Sequence, residues 1–380
     1  MQYVPFGKLG FDISRLGMGC MRLPTIQEGD KKVVDVPRAI ALIRAGIDGG
    51  INYVDTAWPY HGGESENVVG QALRDGYRER VKLATKLPCW AVEERADMDR
   101  ILDTQLKKLQ VPYVDFYLVH ALSRDRWEKM RALGVREFLD EAVRDGRIRH
   151  PSFSFHDEYP VFRTIMLDYD WQMAQIQFNY LDIRMQAGLA GIRLARKQGV
   201  PLVIMEPLRG GALARPSADI RAIIDRAPVK RSPVEWAFRF VGDYPEIATM
   251  LSGMSDEEQL ADNLRIFDDV RVGGLTEADK RLIARLRAGY KKRMPIGCTG
   301  CEYCLPCPKG VQIPRLFKAY NNANMFDELD RLPRRYQEAV DEGWDAGRCV
   351  RCGACEKQCP QHLPIRDWLQ TVHKAGTAEA

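Results

Sequence analysis

Eight of the ten cysteines in this 380-residue chain fall in two short runs near its C-terminus. The first run, CTGCEYCLPCP, places Cys298, Cys301, Cys304 and Cys307; the second, CVRCGACEKQCP, places Cys349, Cys352, Cys355 and Cys359. Each run closes on Cys-Pro. No other feature restricts the fold so strongly, because thiols at this spacing are drawn onto one small inorganic core and the backbone around them must turn tightly. The spacing predicts two [4Fe–4S] clusters, and the fourth cysteine of such a run, standing before proline, ordinarily ligates the other cluster. The expected ligand sets are therefore Cys298, Cys301, Cys304 with Cys359, and Cys349, Cys352, Cys355 with Cys307. Cys307 departs from the commoner pattern, being separated from Cys304 by two residues rather than three. A lone C-x2-C pair points to zinc more often than to iron, but two complete runs that both end in Cys-Pro do not fit a zinc pattern.

A disulfide framework is not expected, since the chain is long and no apolar leader-like segment opens it. Cys20 and Cys89 stand alone in apolar surroundings and are expected in the core. Hydrophobic content of 45% and charged content of 28% are ordinary for a globular protein. A formal charge of +4 with mixed signs makes no case for nucleic acid. No apolar run reaches membrane-spanning length. Iron–sulfur ligation with free cysteines fits a reducing, cytoplasmic setting. The length suits one large domain, residues 1–285, followed by a small one, residues 286–380.

Within the large domain, a hairpin-like stretch (QYVPFGKLGFDISRL) precedes eight strand-like runs: LGMGCM, INYVDTA, VKLATKL, VDFYLVH, RHPSFSFH, MAQIQFNY, PLVIMEPL and IATMLSGM. Amphipathic stretches such as PRAIALIRAGIDGG, ESENVVGQALRD, DMDRILDTQLKKLQ, REFLDEAVRDGR and AGLAGIRLARKQG alternate with them, several ending in glycine as helices do. Eight strand-then-helix units predict a (β/α)8 barrel, followed by a small helical C-terminal iron–sulfur domain.

Such barrels place their chemistry at the C-terminal strand ends. Three successive ends supply Asp55 with Tyr60 in the following loop, then Lys86, then His120. These four suit carbonyl reduction. Tyr60 is a weak acid near pKa 10; a Lys86 cation, held by Asp55, is expected to lower it so that it protonates a carbonyl oxygen, which His120 would orient. Each residue alone is as easily structural, and Lys86 with Asp55 could be no more than a salt bridge at the barrel mouth. Their joint occurrence at successive strand ends is what points to chemistry.

These residues and their surroundings resemble the aldo/keto reductase family. The similarity is carried by PFGKLGFDISRLGMGCMRLP, NYVDTAWPYHGGESENVVGQAL, VKLATKLP, VDFYLVH, GRIRHPSFSFH, AQIQFNYLD, EPLRGGAL and LSGMSDEEQLADNL, which cover most of residues 4–264. The resemblance implies a catalytic tetrad of Asp55, Tyr60, Lys86 and His120. It implies nicotinamide contacts from Ser154 and Gln175, with Asn179 as a further candidate, and cofactor contacts from Gly19 and Met21. Pro207, Leu208, Arg209, Gly210 and Gly211 would approach the pyrophosphate, and Gly253, Ser255, Gln259 and Asn263 the adenosine end. The tail resembles the iron–sulfur extension of one bacterial and archaeal branch of the family.

Two departures stand out. Met205 occupies the place where many members stack an aromatic ring on the nicotinamide; a thioether packs there too, with a different grip. No basic residue for a 2′-phosphate occurs at Gly253 or Gln259, although Arg265 is near in sequence, so NADP and NAD both stay open. The expected function is hydride transfer between a nicotinamide cofactor and a small-molecule carbonyl or alcohol, with clusters that relay electrons, compatible with a redox protein partner. The alternative is a non-catalytic nicotinamide-binding sensor with structural clusters. Trp58, His61 and Trp90 are candidates for lining the substrate pocket, and no arginine is evidently placed for a substrate carboxylate.

Overall fold

A computed structural model describes residues 1–378. Eight parallel strands close into a barrel: β1 (Leu16–Gly19), β2 (Tyr53–Asp55), β3 (Lys82–Leu87), β4 (Val114–Leu122), β5 (Ile148–Phe155), β6 (Met173–Gln177), β7 (Leu202–Met205) and β8 (Ile247–Ser252). They pair in chain order, and β8 returns to β1 through Met250–Leu16, Leu251–Gly17 and Ser252–Met18. The strands are buried on both faces, which is why they read as continuous apolar runs rather than alternating ones. Eight strands leave an interior that side chains fill. Phe6, Ile13, Tyr53, Phe116, Leu118 and Val203 form one apolar cluster, to which the N-terminal hairpin of Tyr3–Pro5 and Asp12–Ser14 contributes Ile13 and the loop residue Phe6.

The chain groups into two compact units: residues 1–211 with 234–276, and residues 212–233 with 277–380. The boundary expected at 285/286 falls inside the helix Glu277–Lys292. In the second unit that helix lies against Ala218–Asp225 so closely that a Cβ at Gly289 would sit 2.8 Å from Ile220 Cδ1. Ion pairs Arg231–Asp279 (3.0 Å) and Arg293–Asp219 (2.8 Å) tie the same segments. The tail adds helices Ile313–Met325, Leu332–Asp341, Ala354–Gln358 and Ile365–Gly376. Ile296, Val311, Leu316, Phe317, Tyr336 and Leu369 belong to its core, against which Cys298, Cys304, Cys307, Cys349, Cys355 and Cys359 pack. Among the described residues, no helix is long and apolar enough to cross a membrane.

Candidate active site and cluster ligands

Asp55 ends β2 and Lys86 lies near the end of the adjacent β3, so pairing of the two strands brings the side chains together. Lys86 Nζ donates to Asp55 Oδ1 and to the Thr56 carbonyl, both at 2.7 Å, and to the Tyr60 hydroxyl at 3.4 Å. The pair is almost wholly buried, with side-chain exposures of 1% and 2%. From behind the strand, Gln105 Nε2 donates to the Lys86 carbonyl at 3.0 Å and to Glu66 Oε1 at 2.6 Å, while Thr85 Oγ1 donates to the same carboxylate oxygen at 2.7 Å. Tyr60 begins a tight segment in which His61 has φ 53°, and His61 Nε2 accepts the Leu23 N–H at 3.0 Å. That bond joins the loops after β1 and β2.

Burial alone would discharge Lys86, but Asp55 and Tyr60 more than offset it, and its pKa is raised. Burial pushes the Asp55 carboxyl up, against the pull of the ammonium. For Tyr60 the outcome differs from expectation. Lys86 does act to lower its pKa, but burial outweighs that pull and the net shift is upward. The phenol is therefore a proton donor kept protonated, not a half-ionised one.

His120 precedes an irregular stretch of β4. The register shifts between Val119 and Leu122, and Ala121 takes φ 52°, a β-bulge of the kind that re-aims side chains at barrel rims. Ser154 Oγ, at the end of β5, accepts the Ala121 N–H at 2.7 Å and holds the bulge. The His120 ring meets Tyr60 edge-on with centroids 6.3 Å apart. Burial, then the nearby Lys86 charge, take its pKa down to about 2, so the ring is neutral throughout the working range.

A neutral buried histidine has a consequence for stability. The unfolded chain binds a proton at His120 below about pH 6.5 and the folded chain does not, so this residue costs about 1.4 kcal/mol for each pH unit below that point. Burial depresses His61, His150 and His156 as well. Urea denaturation at pH 7 and pH 5 should show the wild type losing stability on acidification, and His120→Asn losing about 2 kcal/mol less across the same interval. Equal losses in the two proteins would show that His120 is not buried neutral.

The other expected contacts lie around this centre with differing freedom. Gln175 Oε1 is buried without a hydrogen-bond partner, as an acceptor awaiting an amide N–H would be, and the neighbouring Ser154 is almost fully buried. Those residues fit a nicotinamide carboxamide. Asn179 is committed elsewhere: its Nδ2 donates to Asp182 and the Glu206 carbonyl, and its Oδ1 accepts from Leu181 N and Asp182 N. Arg209 is held by Asp182 at 2.9 Å. Met205 ends β7 half-buried, with Pro207, Leu208, Gly210 and Gly211 following, and Gly19 ends β1 beside the exposed Met21. Ser255 and Gln259 bond one another beside Asp256, and Asn263 Nδ2 donates to Ser252 Oγ at 2.9 Å. Arg265 pairs with Asp262 at 2.7 Å.

Two residues escaped the sequence reading. A Cβ at Gly253 would lie 3.1 Å from Arg22 Cβ, and one at Gly210 would lie 3.4 Å from Arg22 Nη2, so Arg22 bridges the two glycine-bearing loops. Arg126 stands beside Trp90, which faces His120. Of the aromatic candidates only Trp90 reaches that histidine; Trp58 lies under the Lys108 ammonium, 4.5 Å away, and His61 is tied to Leu23.

In the tail, Cys298, Cys301, Cys304 and Cys359 line one cavity. Cys307, Cys349, Cys352 and Cys355 line a second, whose edge Cys304 also touches. The last cysteine of each run thus stands with the first three of the other. All-thiol sets around two adjacent cavities have the donor chemistry of iron–sulfur ligation. Cys20 and Cys89 are buried; burial pushes the Cys89 thiol up to about 12, as for an inert core residue.

A closed parallel barrel carries this polar set at its mouth, and a thiol-rich helical extension follows it in the chain. The profile of the Aldo/keto reductase family matches residues 15–279, and that of the 4Fe-4S dicluster domain matches residues 297–363. The chain belongs to the aldo/keto reductase family. It is 30% identical over 188 residues to aldo-keto reductase YhdN of Bacillus subtilis, a stretch of 44% of this chain and only 56% of that relative. Over 234 residues it is 29% identical to the NADH-specific methylglyoxal reductase of Escherichia coli, covering 56% of this chain and 69% of that protein. In fold it is similar to an aldo/keto reductase from Klebsiella pneumoniae solved with NADP and acetate, with a TM-score of 0.60 at 23% identity over 75% of this chain and 95% of that one.

Proposed function

We propose that this protein is a nicotinamide-dependent reductase of small-molecule carbonyl compounds, working reversibly on the alcohols, with Asp55, Tyr60, Lys86 and His120 as its catalytic residues. The observation that carries this reading is the buried chain Asp55–Lys86–Tyr60, with contacts of 2.7 and 3.4 Å, beside a neutral His120. When bound, the reduced cofactor supplies a hydride to the carbonyl carbon. Tyr60 gives its proton to the oxygen, so that the C=O double bond becomes a C–O–H group. Lys86 stabilises the phenolate left behind, and Asp55 keeps Lys86 charged and in place. His120, being neutral, steadies the same oxygen by a hydrogen bond without protonating it. Ser154 and Gln175 would hold the carboxamide, and Arg22 would lie along the phosphates.

The thiols would hold two [4Fe–4S] clusters that relay single electrons to or from a redox protein partner; coupling them to a hydride would take a carrier of both one and two electrons, such as a flavin, which would also release the proton. Free thiols and clusters suit the cytoplasm. A family member among the chain's relatives is NADH-specific and a structural neighbour was solved with NADP. The adenosine end here favours weak discrimination. Arg38 is taken up bidentately by Glu257 and Arg265 by Asp262, and the helix that starts at Glu257 opens with the acids Asp256, Glu257 and Glu258, a poor setting for a further phosphate charge.

Steady-state oxidation of NADH and NADPH with a panel of aldehydes and ketones tests the proposal; no turnover with any of them would remove it. The two cofactors should differ by less than about a hundredfold in kcat/KM. Arg22→Gln should raise KM for both alike, roughly tenfold, because a lost phosphate contact is shared by both dinucleotides. A loss confined to NADPH would assign Arg22 to the 2′-phosphate instead.

A further inference from the structure

The helix Arg124–Ala132 follows almost directly on the strand that carries His120, and its side facing the loop after β3 bears two cations three residues apart. Lys129 Nζ donates to the Cys89 carbonyl at 3.2 Å. The Arg126 guanidinium lies 5.6 Å from the centroid of the Trp90 ring, and that ring stands 5.1 Å from the ring of His120. Arg126 Nη1 also donates to the carbonyl of Ala121, the residue after His120, at 2.7 Å. Among the described residues its Nε and Nη2 donate to no group, and it pairs with no carboxylate. Several other arginines of this unit are spent on acids: Arg38 on Glu257, Arg78 on Asp115, Arg147 on Asp99 and Arg209 on Asp182.

Asp125 and Glu128 lie on the same helix, exposed and not paired with Arg126, while three further acids are held by other groups. Asp55 is balanced by Lys86 at 2.7 Å. Asp157 accepts the backbone N–H groups of Arg124 and Glu158. Glu206 acts on His156, whereas Lys86, His156 and Arg126 act together on His120. Arg126 itself is paired with no carboxylate, and its remaining N–H groups form a planar fork, the geometry that takes a carboxylate bidentately. Trp90, 46% exposed, supplies an apolar wall beside that fork.

We infer that the carbonyl substrate carries a carboxylate, which Arg126 binds against Trp90 while the reacting carbonyl lies between Tyr60 and His120. This rests on the reductase reading above and adds the substrate's chemical class. An exposed arginine in water gives little, but one closed between a tryptophan and a bound ligand gives more.

The experiment compares kcat/KM for 4-carboxybenzaldehyde and benzaldehyde with the cluster-loaded protein. Wild type should favour the carboxylate by about tenfold or more, and added salt should narrow the gap. R126Q should bring the ratio of the two aldehydes close to one, and R126K should keep part of the preference. If R126Q lowers kcat for both aldehydes equally, Arg126 serves only to hold the Ala121 carbonyl, and the inference fails; it fails too if the wild type shows no preference. Should neither aldehyde be turned over, the reductase reading falls first. Benzoate titration of the NAD-loaded protein, followed by tryptophan fluorescence, then decides: roughly tenfold weaker binding in R126Q supports the carboxylate site, and equal binding removes it.

Discussion

Tyr60→Phe should lower kcat by on the order of a hundredfold or more while leaving cofactor affinity nearly unchanged, because the phenol meets the reacting oxygen and not the dinucleotide. The ring packing survives this change, so the loss reports the proton. Lys86→Met should act in the same direction and also destabilise the fold by about 3–5 kcal/mol, since it leaves the buried Asp55 carboxylate alone. Asp55 Oδ2 already lacks a hydrogen-bond partner, so nothing nearby stands ready to replace the ammonium. In the double variant the two losses in kcat should fall far short of multiplying, as for residues that act as one unit. Stopped-flow and steady-state rates on an aldehyde the wild type accepts check both. Near-normal turnover by Tyr60→Phe would show that another group supplies the proton and would remove Tyr60 from the catalytic set.

Anaerobically prepared protein should be brown and hold close to eight irons per chain, as two [4Fe–4S] clusters require. The side-by-side cavities make a sharper expectation. Cys359→Ser should reduce iron to about four per chain, although the other three cysteines around its cavity lie in the distant first run. Cys307→Ser should cause the complementary loss, sparing the cluster of Cys298, Cys301 and Cys304. Iron analysis and electron paramagnetic resonance of the reduced variants tell the two apart. Stoichiometric zinc after anaerobic reconstitution with iron and sulfide would end the cluster assignment.

The barrel is legible in the chain because eight buried strands must be apolar throughout and each helix must show one apolar face. Asp55, Lys86 and His120 are legible only as a set: each alone is as easily structural, but polar residues closing three successive apolar runs must meet at one end of the barrel. Arg22 and Arg126 are not legible. A basic residue in a loop or on a polar helix looks like any solvated charge, and what distinguishes these two is the company brought by contacts far apart in sequence. The helix Arg124–Ala132 buries only Trp127 and Met130, too little for a clear period. The direction of the Tyr60 shift was also out of reach, because the depth of burial that outweighs Lys86 exists only once the barrel has closed.

The interleaving of the two compact units bears on how the protein is made. Residues 212–233 leave the ribosome before their partner helix Glu277–Lys292 exists, and residues 234–276, which belong to the other unit, are made in between. At roughly 5–20 residues per second that is a wait of several seconds. During it, Ile220 and Ile224, buried in the finished protein, have no helix to cover them. A chain stopped before residue 277 would be left in that state permanently. Expression of a barrel-only fragment should therefore yield aggregated material unless residues 212–233 are replaced by a short polar loop.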